Sequence, residues 1–193
     1  MTEDEILAEF RAADALHEGH FILSSGLHSA YYLQCARVLM NPQRASRLAV
    51  AIAQSIPREL RGEIGAVVSP AMGGLIIGHE IGRALDVDAI FLERPEGVFE
   101  LRRGFALETG TKVLMMEDVV TTGLSSREAI KAITAAGGEV VAAGAVVDRS
   151  GGTADLGVPF FPLIELNFPT YAADDLPPEL VKTKPTKPGS RKK

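Results

Sequence analysis

Apolar residues near the start of the chain fall at the spacing of α-helices. The segment from Glu3 to Leu16 repeats them three and four positions apart, which predicts an amphipathic helix. A second helix is predicted to begin at Asn41 and Pro42, because Asn caps the first turn of a helix and Pro is tolerated at its first position. The predicted core stripe of this second helix consists of Leu48, Ala49, Ile52 and Ile56.

From residue 64 the pattern changes to short, almost wholly apolar runs separated by helical segments. The runs are 64–69, 88–92, 112–116, 139–148 and 160–166. Strands that are apolar nearly throughout are covered on both faces. The pattern therefore predicts an α/β fold with a twisted, mostly parallel sheet and helices on both faces. In such sheets ligands bind beyond the carboxyl ends of the strands.

A small hairpin is predicted before the main pattern begins. Residues 21–34 read as two short strands around a Ser-Gly turn. We expect residues 1–181 to form one domain, with this hairpin and the rest of a small hood within residues 1–40. Residues 182–193 are rich in Lys and Pro, so they are predicted to form a basic, disordered tail.

Charge is distributed unevenly along the 193 residues. The net charge is −5, but residues 182–193 hold six of the 20 Lys and Arg and no acid, so the rest of the chain stands at −11. A body this acidic argues against nucleic-acid binding by the folded domain. The single Cys excludes a disulfide framework and a cysteine zinc cluster.

Targeting and membrane signals are not evident in the sequence. The apolar stretch 65–78 is interrupted by Gly, Pro and Ser and is shorter than the roughly 18 residues that a membrane helix needs. The first ten residues are acidic, where a signal or transit peptide would be basic. A cytoplasmic protein without a membrane span is therefore expected.

The most informative stretch runs from Val113 to Ser126. An apolar strand ends in Glu117 and Asp118, and a turn rich in Thr, Gly and Ser then leads into a helix. Such a turn presents unpaired backbone N–H groups and the positive end of the helix dipole, which together hold a phosphate. Gly123 lets the backbone approach the anion closely.

The two carboxylates at the strand end suit neutral hydroxyl groups better than phosphate, which they would repel. An anion turn beside two hydroxyl-binding acids describes a ribose 5-phosphate site. The competing interpretation is that the acids only cap and solvate a strand end. The Walker pattern is absent, and residues 73–78 do not have the glycine spacing of a dinucleotide-binding turn.

Residues 117–125, EDVVTTGLS, resemble the phosphoribosyl pyrophosphate (PRPP) signature of the type I phosphoribosyltransferases. Further segments resemble the bacterial orotate phosphoribosyltransferases within that family. These segments are 19–39, 69–74, 93–105 and 146–152. The resemblance implies the type I phosphoribosyltransferase fold with an N-terminal hood, and it covers most of residues 15–170.

The resemblance also implies a reaction and its requirements. Orotate N1 attacks the anomeric carbon of PRPP, and orotidine 5′-monophosphate and pyrophosphate are formed in pyrimidine synthesis. The implied cofactor is Mg²⁺, bound mainly through PRPP rather than by a protein metal site. The implied assembly is a homodimer.

Site residues follow from the resemblance, position by position. Catalytic roles fall to Glu117, Asp118, Arg94, Arg102 and Arg103. The ribose and 5′-phosphate of PRPP would be held by Glu117, Asp118, Val119, Val120, Thr121, Thr122, Gly123, Leu124 and Ser125. Its pyrophosphate would be held by Pro70, Ala71, Met72, Gly73, Gly74 and Arg94. Orotate would be bound by Thr121, Arg149, Ser24, Ser25 and Gly26.

The polar loop 93–104 resembles the mobile loop that closes over PRPP, partly in the site of the neighbouring subunit. The alternative is a solvated surface loop. Arg102 and Arg103 stand where enteric enzymes have Lys and His, and Ser24 and Gly73 stand where they have Lys. Because Arg does not readily give up a proton, Arg102 and Arg103 would stabilise the leaving pyrophosphate by their charge rather than by proton transfer.

Two other functions remain open on the sequence alone. One is a purine-type phosphoribosyltransferase of the same fold, which would have little use for a carboxylate clamp at Arg149. The other is a non-enzymatic PRPP sensor that contacts a partner through the basic tail.

Overall fold

The computed structural model describes residues 1–23 and 25–188, which fold into an α/β structure. The first half contains α1 (Glu3–Ala12), β1 (Leu16–Ile22), β2 (His28–Leu33), α2 (Cys35–Leu39), α3 (Pro42–Ser55), α4 (Arg58–Arg61), β3 (Ala66–Pro70), α5 (Gly74–Leu85) and β4 (Asp88–Glu93). The second half contains β5 (Glu100–Leu101), β6 (Lys112–Val120), α6 (Leu124–Ala135), β7 (Glu139–Asp148), β8 (Phe160–Glu165), β9 (Thr170–Tyr171) and α7 (Pro178–Val181).

The main sheet has six strands in the order β5-β4-β3-β6-β7-β8. All neighbouring pairs are parallel except β4 and the two-residue strand β5. The prediction of a mostly parallel sheet is thereby confirmed. Because its central strands are parallel, their carboxyl ends lie at one edge.

Helices cover both faces of this sheet, as predicted. Along β6, Leu114 and Met116 belong to the core shared with α3 and α5, whereas Val113 and Met115 belong to the core shared with α6. This alternation follows from the two-residue period of a strand. Each fully buried side chain of this size contributes about 1.5–3 kcal/mol to stability.

Helix α3 matches the sequence prediction at its start and along its core face. The Asn41 side chain accepts a hydrogen bond from the backbone N–H of Arg44 at 3.0 Å. The four predicted stripe positions are buried.

Helix α5 lies close against the sheet because of its glycines. A Cβ at Gly82 would come within 2.7 Å of Ala89 Cβ on β4. This close packing positions the loop before α5, where the PRPP pyrophosphate is expected.

The N-terminal helix is shorter than predicted. A capping box of Thr2 and Glu5 begins α1, but the helix ends at Ala12 rather than at Leu16. Asp14 has a φ of +50°, which turns the chain out of the helix. The residues that follow join strand β1.

The hood is a three-stranded sheet in the order β1-β2-β9. The predicted hairpin is present, although β1 begins at Leu16, before the predicted start. The third strand, Thr170–Tyr171, comes from the C-terminal part of the chain, so the hood is not confined to residues 1–40. Ser24, at the predicted turn, lies outside the described residues.

The described part of the predicted tail is attached to the hood. Ile22 donates its backbone N–H to the carbonyl of Thr186 at 2.8 Å, and Thr186 donates its own N–H to the carbonyl of His20 at 2.8 Å. His20 Nδ1 lies 3.1 Å from the carbonyl oxygen of Thr183, and His20 Nε2 lies 2.6 Å from His28 Nδ1. We call residues 183–186 the C-terminal strap. Residues 189–193 lie outside the described residues.

The helices are short. Helix α3 has 14 residues, whereas a helix that crosses a membrane needs about 20. In residues 1–23 and 25–188, no helix is long and apolar enough for such a span.

Candidate active site

Predicted site residues from three separate segments meet where β3, β6 and β7 end. Val120 of β6 pairs with Asp148 of β7, and β3 lies on the other side of β6. The loops that follow these strands therefore gather at one edge of the sheet. They bring together residues that are far apart in sequence.

Strand β6 carries the two acids within the strand rather than at its end. The sequence predicts a strand that ends in these acids, but β6 continues past them to Val120. Adjacent strand residues point to opposite faces. Glu117 accordingly faces the turn before α6, where Ser125 Oγ donates to its Oε1 at 3.5 Å.

Asp118 faces the loop before α5. A Cβ at Gly73 would lie 2.6 Å from Asp118 Oδ1, so only a glycine leaves room for this carboxylate in the observed arrangement. Gly73 has an ordinary φ of −60°, so the requirement is one of space rather than of backbone conformation. The predicted pyrophosphate loop and the predicted ribose-binding acid are thus in direct contact.

Burial alters the proton affinity of both acids. The pKa of Glu117 is raised to about 8, first by burial and then by the charge of Asp118. The pKa of Asp118 is also raised by burial, against the hydrogen bond that its Oδ1 accepts from the N–H of Val119 at 2.8 Å. Glu117 is therefore largely protonated at neutral pH and can donate a hydrogen bond as well as accept one.

The turn before α6 has the backbone and side-chain features that the sequence predicts for an anion site. Gly123 has a φ of +73°, which favours glycine, and a Cβ there would also come within 2.8 Å of Leu156 Cδ2. Thr121, Thr122 and Ser125 have exposed side chains. A cavity of about 260 Å³ opens here and is lined by Arg94, Val119, Val120, Thr121, Thr122, Gly123, Leu124, Ser125, Ser126 and Glu128.

The three arginines of loop 93–104 do not lie together. Arg94 lines the cavity at the anion turn, where it pairs with Glu128 and its guanidinium carbon lies 3.9 Å from the centre of the Phe99 ring. Arg103 Nε instead pairs with Glu93 Oε1 at 2.6 Å, and Arg102 Nη1 lies 3.5 Å from Glu93 Oε2. Arg102 and Arg103 are not among the residues that line this cavity.

Arg149 directly follows β7 and lies beside the anion turn. Its backbone N–H donates to the carbonyl of Val120 at 2.8 Å, which places it next to Thr121 as the predicted orotate site requires. In the described part of the chain, its Nε is buried and has no hydrogen-bond partner. Burial lowers the pKa of this guanidinium. A partly buried cation with an unpaired donor favours an anionic ligand.

Aromatic residues near Arg149 were not predicted as site residues. Phe168 lies 5.7 Å below the Arg149 guanidinium, and Tyr31 of the hood stacks on Phe168 with ring centres 4.8 Å apart. The hood therefore reaches Arg149 through strand β2. The predicted contacts Ser25 and Gly26 form the exposed turn between β1 and β2. Phe168 has no recognisable sequence signal, because its position depends on long-range packing.

Comparison with known proteins identifies the family. No protein-family model matches the chain. The orotate phosphoribosyltransferase of Novosphingobium aromaticivorans is 75% identical over 193 residues, which cover 100% of both chains. The chain belongs to the orotate phosphoribosyltransferase family. The family member of Caulobacter vibrioides is 57% identical over 100% of this chain and 98% of its own.

Solved structures agree with this family assignment at the level of the fold. Orotate phosphoribosyltransferase from Aeropyrum pernix has a TM-score of 0.69 and 25% identity, and the match covers 83% of this chain and 93% of that one. An adenine phosphoribosyltransferase from Thermoanaerobacter pseudethanolicus has a TM-score of 0.59 at 15% identity, covering 70% and 88%. The predicted family and its type I phosphoribosyltransferase fold are confirmed.

Proposed function

We propose that this protein transfers the 5-phosphoribosyl group of PRPP to orotate, giving orotidine 5′-monophosphate and pyrophosphate. The observation that carries this proposal is the buried, unpaired Nε of Arg149 beside the anion turn in a member of this family. A planar guanidinium can bind the orotate carboxylate through two parallel hydrogen bonds.

PRPP would lie across the carboxyl end of β6. Its 5′-phosphate would occupy the turn 121–125, where backbone N–H groups and the α6 dipole favour an anion. Glu117 and Asp118 would bind the ribose hydroxyls from the two sides of the strand. The pyrophosphate would lie against the loop 71–74 and Arg94, the loop arginine that already lines the cavity.

Orotate would lie between the anion turn and the hood. Arg149 would hold its carboxylate and Thr121 would contact the ring, with Tyr31 and Phe168 limiting the space on the side of the hood. The orotate carboxylate would supply the anionic partner that the partly buried Arg149 guanidinium lacks. The ring nitrogen N1 would then face the anomeric carbon of PRPP.

The residues of this site act by placement and charge. As the bond from the anomeric carbon to N1 forms and the bond to the pyrophosphate oxygen breaks, the ribose gains positive charge and the proton on N1 is lost to solvent. The carboxylate of Asp118 and the largely protonated Glu117 would hold the ribose, while Arg94 would stabilise the charge of the departing pyrophosphate. No protein nucleophile is needed.

We propose that Mg²⁺ enters this site bound to the substrate. Among the described residues there is no group of three or more His, Cys, Asp or Glu side chains that could hold a metal ion. We propose that Mg²⁺ binds mainly to PRPP, where it would neutralise charge on the pyrophosphate.

The test is turnover by the purified protein with PRPP, Mg²⁺ and orotate, followed by the loss of orotate absorbance. We expect Arg149→Ala to reduce kcat/KM for orotate by about 100-fold or more, the cost of a lost charged hydrogen-bond pair. Arg58→Ala, an exposed arginine on α4, is the control. Absence of turnover in the wild type would refute the proposal.

The same assay separates the alternatives. Turnover of adenine or hypoxanthine but not orotate, unaffected by Arg149→Ala, would indicate a purine enzyme. The adenine phosphoribosyltransferases among the structural matches share the fold, and Arg149 is the feature that favours orotate. A PRPP sensor would bind PRPP without turnover.

A further inference from the structure

A carboxylate lines the cavity at the anion turn, where it is electrostatically unfavourable. Glu128 lies on the first turns of α6 and borders the same cavity as Thr121, Thr122 and Ser125. A negative side chain next to a phosphate site weakens phosphate binding unless the carboxylate has another role. Its contacts indicate what that role is.

Glu128 is paired with Arg94. Its Oε2 accepts a hydrogen bond from Nη2 of Arg94, while the Arg94 guanidinium lies over the Phe99 ring at 3.9 Å from the ring centre. The pair uses Nη2, so the donors on Nε and Nη1 remain for a ligand in the cavity. Glu128 and Phe99 together fix the position of the guanidinium.

Stability does not account for this pair. The Arg94 side chain is 36% exposed and the Glu128 side chain is 45% exposed. Ion pairs with this degree of exposure contribute little to the free energy of unfolding. The geometry of the pair therefore matters more than its contribution to folding.

We propose that Glu128 is a positioning residue that holds Arg94 at the anion cavity, so that Arg94 can bind the phosphate groups of PRPP. This inference rests on the proposed function. The carboxylate costs some direct repulsion with PRPP, but it reduces the rotational freedom that the long Arg94 side chain loses on binding. The balance of these two effects can be measured.

The experiment compares Glu128→Ala, Glu128→Asp and the wild type. We expect Glu128→Ala to raise KM for PRPP about five- to tenfold and to lower kcat, because Arg94 also stabilises the departing pyrophosphate, with KM for orotate changed less than about twofold. We expect Glu128→Asp, which keeps the charge, to recover part of the loss. Glu59→Ala is the matched control, because α4 precedes β3 and lies at the opposite edge of the sheet from the cavity.

A double-mutant cycle tests whether Glu128 acts through Arg94. In an Arg94→Ala background, Glu128→Ala should have no further effect on KM for PRPP. Titration calorimetry with inorganic pyrophosphate should show the same pattern without requiring turnover, and thermal melting of each variant verifies folding. An inactive wild type that shows this pattern for pyrophosphate would therefore refute the proposed function alone.

Three results would overturn the inference. A lower KM for PRPP in Glu128→Ala would show that repulsion by the carboxylate dominates. An unchanged KM would show that Arg94 needs no support. An equal loss with and without Arg94 would show that Glu128 acts on something else.

Discussion

At the residue scale, Glu117 and Asp118 are adjacent in sequence but have different surroundings. Glu117 faces Ser125 and is 7% exposed, whereas Asp118 lies against Gly73. Burial raises the pKa of both, and that of Glu117 reaches about 8. The two carboxyl groups are therefore not interchangeable, and each can be tested by itself.

Replacing Glu117 by Gln should stabilise the ligand-free protein at high pH. The pKa of Glu117 rises from its ordinary 4.5 to about 8 on folding, so between these values the unfolded chain loses a proton that the folded chain keeps. The contribution of Glu117 to the wild-type free energy of unfolding therefore falls as the pH rises. The Gln side chain in the variant stays neutral at every pH, so its contribution does not change.

Denaturant unfolding at about pH 5 and about pH 9 measures this effect. We expect Glu117→Gln to gain stability over the wild type at the higher pH and little at the lower one, with Glu59→Gln as the exposed control. An equal difference at both pH values would contradict the explanation.

A methyl group at Gly73 should displace Asp118. The added Cβ would meet the Asp118 carboxylate at 2.6–2.7 Å from all three of its carboxyl atoms, so the side chain or the loop must shift. We expect Gly73→Ala to raise KM for PRPP about tenfold or more, because misplaced binding groups lose much of their effect.

Gly62→Ala is the control for that substitution. Gly62 has a φ of −69°, similar to that of Gly73, and a Cβ there would meet Arg58 O at an ordinary 3.4 Å. The two substitutions therefore change the backbone in the same way. Steady-state kinetics that show equal effects for both would rule out the contact with Asp118 as the cause.

Residue identities were predictable where the chemistry is local. The anion turn needs Gly, Thr and Ser in sequence order, so residues 121–125 could be located from the chain alone. The pairing of Arg103 with Glu93 and the stacking of Tyr31 on Phe168 depend on contacts between distant elements. Local patterns carry no information on such contacts.

At the element scale, the C-terminal strap holds β1 of the hood. Thr186 donates its N–H to His20, and Ile22 donates to Thr186. We expect Thr186→Pro, which lacks the N–H, to reduce stability by about 1 kcal/mol and to raise KM for orotate more than KM for PRPP. This selectivity is expected because Tyr31 of the hood reaches the proposed orotate ligand Arg149 through Phe168.

Thr186→Val is the matched variant, because it keeps the backbone N–H and removes only the hydroxyl. Hydrogen exchange of the β1 amides measures attachment of the strap directly. Exchange that is equally slow in Thr186→Pro and the wild type would mean that β1 does not need the strap.

Helices and strands were predictable where their signals are strong. Strand β7 was predicted with its observed bounds 139–148, because ten mostly apolar residues follow two glycines. The end of α1 was missed, since Asp14 adopts a left-handed conformation that no local rule demands. The short elements α2, α4, β5, β9 and α7 were not predicted, because elements of two to five residues depend on tertiary contacts.

At the scale of the whole molecule, local placement outweighs net charge. Residues 1–181 stand at −11, yet the carboxyl edge of the sheet collects Arg94, Arg149 and the positive end of α6. Arg102 and Arg103 do not line this cavity and pair with acids of their own loop region. We propose that the part of loop 93–104 that carries Arg102 and Arg103 serves the site of a second copy in a homodimer.

Mixing two inactive variants tests this sharing. Arg149→Ala removes the arginine proposed to bind orotate, and the double substitution Arg102→Ala with Arg103→Ala removes the loop arginines. The two variants are mixed in equal amounts, unfolded and refolded together, so that half of the dimers are hybrids. If the loop acts across subunits, each hybrid has one intact site, and the mixture should regain about a quarter of wild-type activity. Activity no higher than that of the separate variants would show that each loop serves its own chain.

The course of β6 through both acids also limits how the site can change. Because side chains alternate along a strand, one inserted residue between Met116 and Glu117 would turn Glu117 toward α5 and Asp118 toward α6. The loop before α5 would then lose Asp118 and the turn before α6 would lose Glu117, although no site residue had been replaced. Single-residue insertions between Lys112 and Val120 should therefore not be tolerated in natural or engineered variants.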